Sequence, residues 1–295
     1  MEQQLHELRT LAARATNRRT ETGIPRVAMV QGEIPEHLLS AVYDPMINLI
    51  LTGSKTMTAG DRTFHYDPAT YFVMSVDLPA VGAIHPAATG EPYLAVSLTL
   101  DPAVVAGLIR DLPVRLCSAL FGSGFSVAPV NVELLDAWIR MLRLIERPDE
   151  IAVLAPAYER EILFRVLQGP LGWMLRDIAS PDTALSRIGV AINWIRRNYT
   201  EQIKVEALAE MAALSVSAFH RHFKAVTALS PVQYQKRIRL LHARSQLISG
   251  RGSATSIAFG VGYSSPNQFS REYARLFGLP PSKDVTKAMQ ALRGA

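Results

Sequence analysis

Apolar positions in the last third of the chain follow the period of a helix, and the whole pattern occurs twice. The first copy runs from VEALAEMAAL into SVSAFHRHFKAVTALSP, and the second from SIAFGVGY into SPNQFSREYARLFGLPP. Ser215, Phe219 and Arg221 of the first copy recur as Ser265, Phe269 and Arg271, each 50 positions later. A short helix, a tight turn and a second helix form a helix-turn-helix unit, so two units are predicted, at residues 204–228 and 253–278.

The second helix of each unit has one apolar face and one basic or polar face. At 100° per residue, Phe219 and Phe223 fall on the side opposite Arg221. Side chains of this polar type can pair with base edges in the major groove, which admits a helix. The predicted DNA contacts are Ser217, His220, Arg221 and Lys224 in the first helix, and Asn267, Gln268, Ser270 and Arg271 in the second.

Two of these assignments have alternatives within the domain. Either arginine could pair with an acid such as Glu210 or Glu272 instead of DNA. Gln268 lies at the third helical position after Ser265, where it could complete a capping box.

The segment between the two units, SPVQYQKRIRLLHARSQLIS, predicts a single long helix. It begins with an N-cap serine, a proline at the first helical position and Gln233 in the capping-box position. Twenty residues of helix span about 30 Å, close to the ~34 Å between successive major grooves on one side of a duplex. Its basic residues are expected to contact phosphate as well; they are Lys236, Arg237, Arg239 and Arg244.

The strings ALAEMAALSVSAFHRHFK and IAFGVGYSSPNQFSREYARLFGLPP resemble the C-terminal DNA-binding domain of the AraC/XylS family of bacterial transcription regulators, over residues 185–287. Two departures are small: Ala228 stands where many members have glycine, and Lys283-Asp284 replaces an aromatic-arginine ending. The resemblance implies double-stranded promoter DNA as a partner, with RNA polymerase as a further one.

Short alternating apolar runs, punctuated by glycine, proline and aspartate, fill the region from residue 45 to 102. They predict an antiparallel sandwich or small barrel, with hairpin turns at Gly53-Ser54 and Gly60-Asp61. ILTGSKTMTAGDRTFHYDPATYFVMSVDLPA and EPYLAVSLTLDP resemble the cupin-like N-terminal domain of one AraC-family branch. That resemblance implies a small-molecule effector of unidentified chemistry.

The expected fold is α+β in two domains. Residues 1–178 form an effector and dimerisation domain, with a cupin-like antiparallel barrel or sandwich at residues 24–115 and helices at 130–178. Residues 179–295 form the all-α tandem helix-turn-helix domain. The candidate effector contacts are Phe64, Tyr66, Tyr71, Tyr93 and Cys117. On alternating strands, about half of the aromatic residues are expected to be core instead. Cys117 has two interpretations, a thiol sensor or a small buried apolar residue.

The helix predicted from NVELLDAWIRMLRLIERP carries a continuous apolar face that includes Leu135, Trp138 and Leu142. In the resembled family, helices after the barrel form a dimer contact, so a homodimer through these residues is one interpretation. Packing against the protein's own barrel is the other.

Charge divides the chain in two. Residues 183–295 hold 16 Lys and Arg against 5 Asp and Glu, about +11, and the remainder holds 15 against 21, about −6. A single cysteine leaves no intrachain disulfide, which favours a cytoplasmic location, and no apolar run is long enough for a membrane span.

An enzyme is the rival class. A metal-dependent cupin needs clustered histidines, whereas His37, His65 and His85 are isolated in sequence. A Cys-dependent enzyme fused to a DNA-targeting domain needs a nucleophilic cysteine in a recognisable motif and usually a Cys-rich metal site, and the solitary Cys117 argues against this class. No catalytic residue, metal or cofactor is therefore expected. A purely architectural DNA-binding or protein-interaction module is a third class.

Overall fold

The computed structural model describes residues 1–16, 18–32, 40–68, 70–112, 123–180 and 183–293. Ten strands lie within these ranges. They are β1 (Arg18–Glu21), β2 (Val27–Gly32), β3 (Ser40–Tyr43), β4 (Met46–Thr52), β5 (Ser54–Ala59), β6 (Arg62–Tyr66), β7 (Thr70–Met74), β8 (Leu78–His85), β9 (Tyr93–Thr99) and β10 (Phe125–Pro129).

The described ranges also contain twelve α-helices. They are α1 (Glu2–Ala12), α2 (Pro102–Arg110), α3 (Val132–Arg143), α4 (Ile151–Gln168), α5 (Gly172–Ala179), α6 (Ala184–Arg197), α7 (Val205–Met211), α8 (Val216–Thr227), α9 (Pro231–Ile248), α10 (Ala254–Gly260), α11 (Pro266–Phe277) and α12 (Pro281–Arg293).

The strands form two antiparallel sheets. One has six strands in the order β1-β2-β9-β4-β7-β10, and the other has four in the order β3-β8-β5-β6. Side chains from both sheets, such as Ile50 and Met57, share one core. The antiparallel sandwich predicted from the sequence is confirmed, and among the described strands the two sheets do not close into a barrel.

Two glycines mark the changes of strand direction, with different outcomes for the prediction. Gly60 lies in the β5–β6 hairpin, in which Ala59 is opposite Arg62, as expected. Gly53 does not form a hairpin, because β4 belongs to the larger sheet and β5 to the smaller one. Its φ of +74° turns the chain from one sheet into the other, and an added Cβ would lie 2.3 Å from the carbonyl oxygen of His85.

The six-stranded sheet is buried on both faces. Alternate residues of β4, such as Ile47 and Leu49, pack under α1, α3 and α4. The helical face predicted as a dimer contact belongs to this core: Leu135, Trp138 and Leu142 are each 0% exposed. Of the two interpretations of this face, packing within its own domain is the one observed, so these side chains present no apolar surface to a second copy of the chain.

The C-terminal helices follow the predicted caps. Ser215 and Ser265 accept hydrogen bonds from the backbone three residues on, and Ser230 forms a complete capping box with Gln233. Helices α8 and α11 both end at a residue in the left-handed region, Ala228 (φ +59°) for α8 and Gly278 (φ +77°) for α11. Ala228, which stands where many family members have glycine, therefore adopts the same left-handed conformation, although glycine does so with less backbone strain.

The first helix-turn-helix unit is docked on the sandwich. One apolar core contains Met57 and Phe125 from the sheets together with Ile188, Phe219 and Tyr234 from the helices. The second unit has a separate core around Phe269 and Tyr273. The two reading units therefore differ in how they are attached to the rest of the chain.

Polar contacts fix the docking. Arg196 of α6 forms an ion pair with Asp77, whose side chain is 11% exposed, and reaches Asp44 at 3.3 Å. The Tyr234 hydroxyl donates to the Asp77 carbonyl at 2.7 Å. Where α8 ends, the Gly124 amide donates to the Val226 carbonyl at 2.9 Å.

The β5–β6 hairpin closes the docked surface against the end of α8. Arg62 donates to the Ala225 carbonyl at 3.2 Å. Gly60 has a φ of +61°, and a Cβ at this position would lie 2.1 Å from the Ala228 carbonyl oxygen. The hairpin can approach α8 this closely only because residue 60 lacks a side chain.

We expect Gly60→Ala to loosen the docking. The alanine adds about 1 kcal/mol of left-handed backbone strain and a clash with backbone that cannot move away cheaply. Hydrogen–deuterium exchange should show faster exchange at the Gly124 amide. Gly90→Ala is the matched control, because Gly90 has a φ of +85° but no atom within 4 Å of an added Cβ. Equal exchange in both variants would contradict this role for Gly60.

Candidate DNA-binding surface and effector site

The polar face predicted for α8 is free of the protein's own core. Phe219 and Phe223 are each 0% exposed, whereas the opposite side is open to solvent. All four predicted contacts in this helix are exposed: Ser217, His220, Arg221 and Lys224. Docking of this unit on the sandwich uses the end of α8 and leaves this face uncovered.

The matching face of α11 is similar, with one difference. Asn267, Gln268 and Arg271 are exposed, and Ser270 is half-buried. The Gln268 side chain donates to Glu272 Oε1 at 3.3 Å, one helical turn away on the same helix. Gln268 therefore does not complete a capping box with Ser265, but its side-chain amide already has a hydrogen-bond partner within the protein.

The intramolecular alternative for the two arginines does not apply in the described part of the chain. No hydrogen bond or ion pair there engages the guanidinium of Arg221 or Arg271. Glu272, one proposed partner, pairs with Lys236 at 2.8 Å and accepts from the Tyr263 hydroxyl at 2.8 Å. Burial disfavours ionisation of Glu272, but hydrogen bonds from Lys236, Tyr263 and Gln268 outweigh it and hold its pKa below the usual value.

The basic residues of α9 are structural rather than open to phosphate. Arg244 is buried and forms two hydrogen bonds with Asp284, at 2.7 and 3.1 Å. Lys236 is committed to Glu272, and burial lowers the pKa of Arg237. The expectation that this helix contacts phosphate through these side chains is not supported. The positions of basic residues along a helix do not show which of them are paired within the protein.

Arg239 links the two reading units. Its guanidinium donates to Tyr199 O at 2.6 Å, Thr200 O at 3.0 Å and Glu201 O at 2.8 Å, all in the segment that leads into α7. It also donates to Gly262 O at 2.8 Å, in the turn between α10 and α11. One side chain thus satisfies carbonyls of both units and fixes their separation along α9.

Three of the predicted effector contacts lie together between the sheets. Tyr66 stacks on Phe72 with ring centroids 5.1 Å apart, and Phe64 packs edge-on against Phe125 at 5.1 Å. Tyr93 lies in the same core.

Tyr71 is not part of this group, because it faces the other core, under the helices. On a strand buried on both faces, aromatic residues at adjacent positions point to opposite sides. Cys117 lies outside the described residues.

Two polar residues in the interior were missed at the level of sequence. Asn48 and Lys55 are 5% and 8% exposed and lie between the sheets with Tyr66, whose hydroxyl is 3.3 Å from Asn48 Oδ1. The signal was available for Lys55. In SKTMTA it alternates in phase with Met57 and Ala59, both of which face the core.

The histidines are closer together than their sequence spacing suggests. His65 and His85 have ring centroids 6.5 Å apart, and both are within 3.4 Å of the Thr56 hydroxyl on the outer face of the smaller sheet. His37 is not among the described residues. Within the described ranges, no group of three potential metal ligands occurs. None of the helices described above has the length and apolar character needed to cross a membrane.

A sheet-rich domain followed by two helix-turn-helix units with open polar faces defines a protein of the tandem helix-turn-helix class. Residues 23–174 match the AraC-type transcriptional regulator N-terminus, and residues 208–286 match the helix-turn-helix domain family. The first match alone covers more than half of the chain. This protein therefore belongs to the AraC-type transcriptional regulators, as the resemblance indicated.

Curated relatives match part of the chain. The HTH-type transcriptional activator RhaS of Escherichia fergusonii is 31% identical over 179 residues, which cover 60% of this chain and 62% of RhaS. RhaS of Escherichia coli O1:K1 is 30% identical over 155 residues, covering 52% and 54%. The chain thus spans between half and two thirds of the length of these relatives.

Solved structures of ToxT share the fold over nearly the whole chain. Wild-type ToxT of Vibrio cholerae strain SCE256, bound to an unsaturated fatty acid, aligns with a TM-score of 0.56 at 11% identity, covering 88% of this chain and 93% of ToxT. ToxT of Vibrio cholerae O395 gives 0.55 at 8% identity, covering 88% and 97%. This likeness is one of fold.

We expect Arg239→Lys to weaken the connection between the reading units. Lysine cannot place donors on four carbonyls at once, so the free energy of unfolding should fall by at least about 2 kcal/mol in urea titrations. Affinity for a duplex that engages both units should fall with it. Arg251→Lys, at an exposed position, is the control. Unchanged stability and affinity in Arg239→Lys would show that the link is dispensable.

Proposed function

We propose that this protein is a sequence-specific DNA-binding transcription regulator that reads two neighbouring major-groove segments. The observation that carries the proposal is the pair of N-capped helices, α8 and α11, each with an exposed polar face and an unpaired arginine among the described residues. They are joined by α9, whose 18 residues span about 27 Å. That length suits two segments about one helical turn apart on a single face of the duplex.

In this proposal the arginines read bases and the smaller polar residues complete the contact. Arg221 and Arg271 can each form a forked pair with guanine, which is worth about 1–3 kcal/mol of discrimination. The remaining contacts are Ser217, His220, Lys224, Asn267 and Ser270. Gln268 has a smaller share, because its amide already binds Glu272.

Charge supports DNA as the partner. Residues 183–295 hold 16 basic and 5 acidic residues, and this part of the chain carries both recognition helices. Part of that excess is neutralised in internal pairs such as Arg244 with Asp284. Arg221, Lys224 and Arg271 are exposed cations on the reading faces, where they favour a polyanion.

The N-terminal domain is proposed to sense a small-molecule effector between its sheets, with the boundary between the sensing and reading domains near residue 178. Docking of the first reading unit on the sandwich gives the effector a physical connection to DNA binding. The named relatives are transcriptional activators, which supports RNA polymerase as a further partner and the cytoplasm as the location. Fatty-acid binding by ToxT supports effector binding in this fold.

We expect selection from a random duplex pool at ~150 mM salt to recover two short motifs about one helical turn apart. Arg221→Ala should lose enrichment of one motif and Arg271→Ala that of the other, because each arginine reads one groove. Arg197→Ala is the matched control, since Arg197 is exposed on α6, away from both reading faces.

Three results would count against the proposal. Recovery of no motif by the wild-type protein would contradict sequence-specific reading. Equal loss of both motifs in the Arg197→Ala control would show that general positive charge, rather than base reading, drives enrichment. A single motif that is insensitive to Arg271→Ala would restrict reading to the first unit.

A further inference from the structure

Lys55 is a charged side chain inside the sandwich. It lies on β5, the central partner of β6 and β8, and is directly opposite Tyr66 on one neighbour and Ile84 on the other. Because it alternates in phase with Met57 and Ala59, which belong to the core between the sheets, its side chain faces the larger sheet. Only 8% of Lys55 is exposed.

The Lys55 ammonium has no anion to neutralise it in the described part of the chain. Lys55 Nζ lies over the ring of Tyr43, 4.9 Å from the ring centroid. No carboxylate forms an ion pair with it, and no acceptor there forms a hydrogen bond with it. Burial lowers the pKa of Lys55 to about 8, so it remains largely protonated at neutral pH. A buried cation without a counter-ion is costly, which suggests that the anion comes from outside the protein.

The surroundings of Lys55 combine hydroxyl groups with apolar walls. The phenols of Tyr43, Tyr66 and Tyr93 are near enough to one another to interact electrostatically, and burial raises the pKa of each, so all three are neutral donors. Tyr66 already contacts the Asn48 amide. The apolar side chains of the same core include Ile50, Met57, Phe64, Phe72 and Phe125.

Two polar groups of this cluster have no hydrogen bond in the described part of the chain. They are Lys55 Nζ and the Tyr93 hydroxyl, whose residues are 8% and 2% exposed. Because neither group donates to the protein there, both can donate to a ligand bound between the sheets.

We propose that the effector of this protein is a monocarboxylic acid with an apolar body, bound between the sheets with its carboxylate on Lys55. The proposal rests on the effector-sensing function proposed above and names its ligand class. One buried cation matches one negative charge, and the Tyr93 hydroxyl is a further hydrogen-bond donor in the same core. The apolar side chains around them suit a hydrocarbon or aromatic body, which would favour acids over small polar anions.

The test uses the intact chain and a panel of acids. Octanoate, decanoate, phenylacetate and cinnamate are each compared with their primary amides, which keep the body and remove the charge. We expect at least one acid, but not its amide, to raise the melting temperature and to bind in calorimetry. Lys55→Met should lower the affinity for that acid about tenfold to a hundredfold, and Lys55→Arg should retain part of the affinity. Lys287→Met, at an exposed lysine, should bind as the wild type does.

Stability without ligand provides an independent readout. Lys55→Met removes an uncompensated buried charge, so its melting temperature should equal or exceed that of the wild type. A marked decrease would show that the protein itself supplies the counter-ion and would overturn the proposal. Equal binding of acids and amides, no binding of any acid, or full acid binding by Lys55→Met would also overturn it.

The outcome is separable from the proposed regulatory function. Selection of DNA sites by Lys55→Met reports whether the protein still reads DNA. If two motifs are recovered while the wild-type protein binds no acid, the ligand class is wrong and the DNA-reading function stands. If neither DNA motifs nor acid binding is found, both proposals fail.

Discussion

The ion pair between Arg196 and Asp77 is the contact on which the arrangement of this molecule depends. Asp77 is largely buried, and its backbone carbonyl also accepts the Tyr234 hydroxyl, so one residue of the sheet domain holds both α6 and α9. Removing Arg196 would leave the Asp77 carboxylate, whose side chain is 11% exposed, without its partner, and an uncompensated buried charge is destabilising. The first reading unit is thereby fixed to the sandwich, while its recognition face stays exposed.

This attachment makes the two reading units unequal. The second unit has its own core and reaches the sandwich through α9, with Arg239 fixing its position relative to the first unit. Strand β5 adds a direct connection to the interior. It carries Lys55 near one end, and the hairpin that follows places Gly60 against Ala228 at the end of α8. About 17 Å of strand thus joins the proposed ligand site to the docked unit.

Sequence patterns predicted the secondary-structure elements better than the tertiary contacts between them. Helical periodicity and the 50-residue repeat located both units and the capping box of α9, because these depend on local geometry. Patterns could not show that Arg244 is buried against Asp284, or that Trp138 packs inside its own domain, because both depend on which surfaces meet in three dimensions. Gly53 was mistaken for a hairpin for the same reason: a tight turn does not specify which sheet receives the next strand.

The most direct test of the account is a double-mutant cycle across the docked surface, with affinity for a selected duplex as the readout. Asp77→Asn, Arg196→Gln and the double variant are compared with Asp44→Asn, which alters the more exposed partner of Arg196. If docking sets how the protein presents its reading helices, both single variants and the double variant should change the affinity by the same factor. Wild-type affinity in Asp77→Asn would contradict the account, since the sandwich would then have no influence on DNA binding.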